Sequence, residues 1–169
     1  MNEPAFRFKL IVFNIEKENN VGMLSRSAYA FGCDELLIVG RQRVKSTGAQ
    51  GTFQFLSWRH FYTLADAVAY CRQQAFQVWG VEIGGACITQ TTFDRDIAFV
   101  LGNEGRGLAD AAPFCDHLIS IPQWGGVPSL NVAVAGGIVM FQFQRAQGLP
   151  PAARSGERYV DDNFPESMT

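Results

Sequence analysis

The chain has 169 residues, enough for one domain with a core of its own and too few to expect two. Its composition, 47% hydrophobic and 18% charged, is that of an ordinary globular protein, and its longest strongly apolar stretch, residues 132–141, is too short to span a bilayer. The net charge of −2 argues against a generally basic polyanion binder, so any grip on a polyanion must come from a local patch.

Residues 6–14, rich in Phe, Leu, Ile and Val, alternate as a strand. Residues 20–31 place apolar side chains at helical spacing and stop at Gly32, a helix-ending residue. Residues 35–39 read as a short buried strand closed by Gly40. Residues 41–57 hold Gly48, Gly51 and many polar groups and read mostly as loop. Within them Arg41, Arg43 and Lys45 form a cationic cluster, either an anion patch or an ordinary solvated loop. Residues 63–74 look helical, with Thr63 as N-cap. Residues 76–83 form a strand that Gly84 and Gly85 end. Residues 97–101 form another strand, 108–114 a short helix and 117–121 a strand. Ser129 then caps a long helix over residues 130–145. That helix is apolar almost all round, which predicts burial on more than one side, and Gly136 and Gly137 would let another backbone approach.

Strands alternating with helices predict an α/β fold: a mainly parallel sheet with helices on both faces. Residues 1–148 make up this domain, and residues 149–169, Pro-rich and polar, an extended or disordered tail. The four cysteines, Cys33, Cys71, Cys87 and Cys115, lie far apart with no CxxC pair, and His60 and His117 are the only histidines. Neither a structural zinc site nor a disulfide framework fits that spacing, and a reducing cytoplasmic setting does. The N-terminal segment lacks the build of a signal peptide.

Phosphate loops of the GxxxxGK[ST] kind, a GxGxxG fingerprint after the first strand and a GxSxG elbow are all missing. Three other segments carry the chemistry. The first, from Asn19 to Arg26, opens a helix; Asn20 there is either a helix cap or a site residue, and Arg26 either a snorkelling cation or a functional one. The second runs Leu101-Gly102-Asn103-Glu104-Gly105-Arg106-Gly107 just after a strand. Its glycines permit positive φ and close approach of a ligand to backbone N–H groups, or merely make a tight turn. The third runs from Ile121-Pro122 through Gly125-Gly126 to Ser129-Leu130-Asn131, where Ser129 is either a plain cap or part of a pocket.

Together the three resemble, in order and wording, the signature motifs of the SpoU–TrmH branch of the SPOUT methyltransferases. An asparagine followed by Gly two on and Arg six on matches Asn20, Gly22 and Arg26. A Gly-x-Glu-Gly-x-Gly-Leu turn matches residues 102–108, with Asn103 where Ser or Pro is common. Ile-Pro followed by Ser-Leu-Asn-Val matches Ile121, Pro122 and residues 129–132. The resemblance covers residues 6–147.

This resemblance implies a C-terminal trefoil knot, an exception to the rule that chains do not thread loops. It implies S-adenosylmethionine as cofactor, bound at Val81, Glu82, Gly102, Asn103, Gly105, Ile121, Pro122 and Leu130, with no metal. The implied activity is transfer of a methyl group to a ribose 2′-hydroxyl of tRNA or rRNA. Arg26, Asn20, Glu104, Ser129 and Asn131 are the implied catalytic set. A guanidinium is a permanent cation, so Arg26 fits a role in holding a phosphate or stabilising the forming alkoxide better than that of a base. Asn20 would orient Arg26 or the ribose, and Glu104 would anchor the loop and Arg26. Relatives dimerise through the first and last helices, which implies a homodimer with Arg26 of one subunit near the cofactor of the other.

Many members carry an extra N-terminal RNA-gripping domain. A first strand opening near Phe6 leaves no room for one, so substrate choice is expected from the catalytic body, the dimer partner or the tail. The segment holding Phe53, Phe55, Trp58 and Phe61 beside Arg59 and His60 either packs on the core or stacks on RNA. Two alternatives stand beside this reading: a non-catalytic RNA-binding or assembly module with the same fold, and a small-molecule methyltransferase, which the neutral body would suit.

Overall fold

The computed structural model describes residues 5–40, 51–103 and 105–148. Strands run over Phe8–Phe13 (β1), Glu35–Val39 (β2), Trp58–Phe61 (β3), Gln77–Cys87 (β4), Ile97–Leu101 (β5) and His117–Ser120 (β6), and helices over Glu18–Ala30 (α1), Leu64–Gln73 (α2) and Val132–Ala146 (α3). The strands form one sheet in the order β3-β2-β1-β5-β4-β6. Every neighbouring pair is parallel, so the predicted α/β architecture holds.

A parallel sheet needs cover on both faces, and the strand sequences provide for it. Leu10 and Val12 point to one face and Ile11, between them, to the other. On the first face α1 and α3 bring Leu24, Ala28, Val139, Met140 and Phe143 against the sheet. There Phe8, Phe93 and Phe99 surround Phe143 edge-on, with centroids 5.3, 5.4 and 5.7 Å away, a favoured arrangement of ring quadrupoles. On the second face α2 brings Leu64, Ala67, Val68 and Cys71. The Thr63 side chain caps α2 as predicted, accepting from the Asp66 amide. Gly32 and Gly40, at φ +69° and +101°, end α1 and β2 as predicted.

Other expectations change. Residues 58–61 form an edge strand that their composition conceals: Trp58, Arg59 and His60 carry no buried alternation, and pairing with residues 36–39 of β2 recruits them. Gly84 and Gly85 do not end β4. They form a bulge in it, where the pairing with β6 skips from Val81 to Ala86 opposite Ile119. Gly84 takes φ +87°, and a Cβ on Gly85 would sit 2.7 Å from the Ile119 backbone. Residues 108–114 are turns ending in a single 3-10 turn, Ala112–Phe114, in place of the predicted helix. The last helix starts at Val132 with Asn131, not Ser129, as its N-cap. Within the single chain the sheet leaves one stripe of it exposed, Val134, Ile138 and Phe141, with Met23 of α1 exposed as well. Gly136 serves packing within the chain, because a Cβ there would strike Leu24 and Leu101, whereas Gly137 faces open space.

The tail 149–169, the cluster Arg41, Arg43 and Lys45, and Glu104 lie outside the described residues. Of the aromatic segment, Phe53 and Phe61 pack partly buried against the two cores, while Phe55 and Trp58 stay exposed. No described helix is long and apolar enough to cross a membrane.

Candidate active site

The middle of β4 and the chain segments leaving the carboxyl ends of β5 and β6 meet the start of α3 around a cleft of about 480 Å³. Open parallel sheets bind ligands at this edge, and the volume suits a small organic molecule.

The turn after β5 is the best-defined wall. Its Asn103 accepts at Oδ1 from the amides of Gly105 (2.8 Å) and Arg106 (3.1 Å) and donates from Nδ2 to the Asn14 carbonyl (2.8 Å) and to Glu16 Oε1 (3.2 Å). The Gly107 amide donates to the Asn103 carbonyl at 2.8 Å, closing the turn. Glycine is required twice for the turn's own packing. A Cβ on Gly102 would strike the Gly107 carbonyl, and Gly107, at φ +57°, would drive one into the Glu82 carboxylate. Glu82 itself braces the turn from the middle of β4: its carboxylate accepts from the Leu108 amide at 2.6 Å and from the Ile83 amide at 2.9 Å.

The opposite wall is the segment between β6 and α3. Ile121 is half-buried against the first core. Asn131 caps α3, accepting from the amides of Ala133 (2.9 Å) and Val134 (3.3 Å). Its Nδ2 donates to Oδ1 of the buried Asn20 at 3.2 Å, tying α3 to the first turn of α1.

The cleft gathers Val81, Glu82, Gly102, Asn103, Gly105, Ile121 and Leu130 from the predicted cofactor set, together with Ser129 and Asn131. Pro122 is not on its wall, and neither are Asn20 and Arg26. Asn20 starts α1 with its side chain bonded to Asn131, while Arg26, six residues on, is exposed. At 100° per residue the two point in different directions, so the expected pairing of Asn20 with Arg26 is replaced by pairing with Asn131. The side chains of Asn103 and Glu82 are spent on holding the turn.

Arg106, Gly107 and Val132 line the cleft from within the motif segments, and Lys17, Ile83, Gln123 and Ala135, which the sequence did not single out, line it as well. Gln123 matters most among these: its Oε1 is buried and has no hydrogen-bond partner among the described residues. Buried acceptors are rarely left unpaired, so this one awaits a donor that the described residues do not supply. Its position between Pro122 and the glycine pair was the only sequence signal available. No cysteine lines the cleft; burial pushes Cys33 and Cys71 up to about 12 and Cys115 up to about 11, while the hydrogen bond with Thr89 lowers Cys87.

A doubly covered parallel sheet with a nucleoside-sized cleft at its carboxyl edge, walled by a glycine turn, defines a nucleotide- or cofactor-binding α/β protein. Within that class, residues 7–141 match the model of the SpoU rRNA Methylase family, and the chain belongs to this family. Over 146 residues it is 29% identical to an uncharacterized tRNA/rRNA methyltransferase of Synechocystis sp., covering 82% of this chain and 38% of the relative. Over 137 residues it is 28% identical to the tRNA (guanosine(18)-2′-O)-methyltransferase of Escherichia coli K12, covering 78% and 60%. The chain thus spans under two thirds of both relatives. Among solved structures, the SpoU methyltransferase AviRb of Streptomyces viridochromogenes in complex with AdoMet superimposes with a TM-score of 0.75 at 24% identity, covering 86% of this chain and 59% of that one.

Proposed function

We propose that this chain is the catalytic body of an S-adenosylmethionine-dependent methyltransferase acting on a ribose 2′-hydroxyl of tRNA or rRNA. The observation that carries the reading is the cleft in which the second and third motif segments meet, with the orphaned Gln123 Oε1 in its wall. An amino group of the cofactor is a donor of the kind that acceptor lacks. Gly102, Gly105, Ile121 and Leu130 would hold the cofactor largely through backbone, with Val81 supplying apolar contact. Glu82 and Asn103 would act by fixing the turn, and Pro122 by bending the opposite segment. When bound, S-adenosylmethionine supplies an electrophilic methyl group on a sulfonium.

The chain's own task is to bring the ribose oxygen into line and to favour its anion. Arg26 carries the charge for that task, yet it lies outside the cleft of its own subunit. A homodimer removes the difficulty. The exposed stripe of Val134, Ile138 and Phe141 on α3, with Met23 on α1, offers a self-complementary apolar face. Met23 and Arg26 are neighbours three apart on the outward side of α1, so a partner seated there would meet Arg26. Ser129 and Asn131 complete the site, and Glu104 belongs with them on the strength of the motif. The family's trefoil knot is part of this proposal; both segments wrapping one cleft suit it.

Calorimetric titration should give S-adenosylmethionine binding in the micromolar range, about −8 kcal/mol. Arg26→Ala should leave that affinity unchanged and abolish methylation. Mixing Arg26→Ala subunits with Gly102→Trp subunits should restore about one working site per mixed dimer. Absence of cofactor binding would leave the non-catalytic module as the reading. Activity that stays lost despite proven subunit exchange would place each site within one chain.

A further inference from the structure

We propose that Trp124 is a stacking platform for an unpaired nucleotide of the RNA substrate, and so a specificity-determining residue at the mouth of the cleft. The inference deepens the proposed function and rests on it. Trp124 is 92% exposed, an extreme for a side chain whose burial contributes so much to stability. The other two tryptophans are otherwise engaged: Trp79 is buried in the first core and Trp58 lies edge-on to Phe53 at 5.8 Å. The indole of Trp124 stacks on no ring among the described residues. Its place near the cleft follows from its neighbour, because Gln123 lies in the cleft wall with a buried Oε1 while Trp124, one residue on, stands in solvent.

Packing within the chain does not explain the residues that follow. A Cβ on Gly125 or Gly126 would meet nothing within 4 Å, so neither glycine is required by a close approach of this chain to itself. What the pair supplies, next to Trp124 in the chain, is open space. The bulge of β4 brings a second apolar surface to the same mouth, since Ile83 lines the cleft and is 60% exposed. Lys17 and Arg106 add cationic side chains to the lining, and Arg106 is tied only by a long exposed pair with Asp110 at 3.8 Å. An aromatic face on one wall of a cleft with cations in its lining fits a base with its phosphate; single-stranded nucleic acid is held in this way, sequence-tolerantly and one base per ring. The competing occupant, a second copy of this chain, has its own apolar face in the α1 and α3 stripe.

The test uses the full chain with Trp58→Phe as background, so that Trp124 dominates the exposed tryptophan emission. Titration with an unstructured oligoribonucleotide of about eight residues, within the usual site size, should quench that emission to saturation, and the same length of duplex should quench far less. Trp124→Ala should weaken oligonucleotide binding about tenfold, measured by anisotropy of a labelled strand, and Trp124→Phe should stay within about threefold of the parent. Both should keep the parent's S-adenosylmethionine affinity and sedimentation, and in methylation assays Trp124→Ala should raise KM for RNA with little change in kcat. Unchanged oligonucleotide binding in Trp124→Ala, or equal quenching by duplex, overturns the proposal. So does conversion of a dimer to a monomer by Trp124→Ala, which would make the indole a subunit contact. Failure of the proposed function would show separately, as absent cofactor binding in the parent, and the quenching titration would still decide the role of Trp124.

Discussion

At the amino ends of β1, β2 and β3 the sheet closes over charge, while beside the β4 bulge and the carboxyl ends of β5 and β6 it opens onto solvent through glycine. Lys9 and Glu35, cross-strand partners in the register, are only 2% and 5% exposed. Lys9 Nζ donates to Glu35 Oε2 at 2.7 Å and pairs with Asp34 at 3.2 Å. Tyr70 OH (2.8 Å) and Arg59 Nε (3.3 Å) donate to the remaining positions on Glu35. The Lys9 ammonium also lies about 5 Å from the ring centres of Phe76 and Tyr70, at 5.0 and 5.2 Å. Every polar group of that cluster has a partner. At the other end Gln123 Oε1 lacks one among the described residues, Trp124 stands in solvent, and the backbone is held by Asn103 and Glu82. The contrast separates two uses of buried polarity: satisfied within the chain it fixes register, and unsatisfied it marks where something else must dock.

Removing charge from the closed end should have the largest effect. Lys9→Met leaves the Glu35 carboxylate buried without its ammonium and should cost about 3–5 kcal/mol in chemical denaturation. Lys9→Met with Glu35→Leu should recover roughly half of that, because desolvation of both charges disappears together. An Lys9→Met cost under about 1 kcal/mol would mean that Glu35 is not held as described. The pH dependence has a definite sign. Burial alone pushes the Glu35 carboxyl up, but the hydrogen bonds from Lys9 and Tyr70 outweigh it and set it below its ordinary value. Its contribution is therefore present above the ordinary carboxylate range and lost as pH falls through the depressed folded value. Burial likewise pulls Lys9 down, and the bonds to Glu35 and Asp34 outweigh it to leave a net rise. That contribution holds below the ordinary lysine value and fades as pH rises through the folded one. Glu35→Gln should flatten the acid limb of the stability profile.

At the open end the effects should fall on ligand affinity more than on folding. Gly102→Ala puts a Cβ against Gly107 and 2.9 Å from the Leu108 amide nitrogen. It should weaken S-adenosylmethionine binding at least tenfold for an overpacking cost of about 1–3 kcal/mol, and parent-like affinity would remove the turn from the site. Asn103→Ala frees the Gly105 and Arg106 amides to exposed surroundings, so it should cost only about 1 kcal/mol and a few-fold in affinity by the same titration. A larger stability loss there than from Lys9→Met would invert the comparison.

Sequence alone determined the parallel α/β fold, most strands and helices, the family, and the segments that wall the cleft. These features rest on local rules: period-two and helical spacing, glycine stops at Gly32 and Gly40, the Thr63 cap, and three motifs whose wording survives without coordinates. Tertiary structure decided what depends on a neighbour distant in the chain. β3 exists because β2 offers it an edge. Gly84 and Gly85 bulge β4 where β6 arrives. Asn131, not Ser129, caps α3, and it does so while reaching Asn20, 111 residues away in sequence. The same holds for function. Asn103 and Glu82 line the cleft, and only the structure shows that their side chains also hold the turn, while Gln123 matches no motif position. Its meaning lies in an absent partner, and a hydrogen bond left unmade can be found only after every other group has been placed.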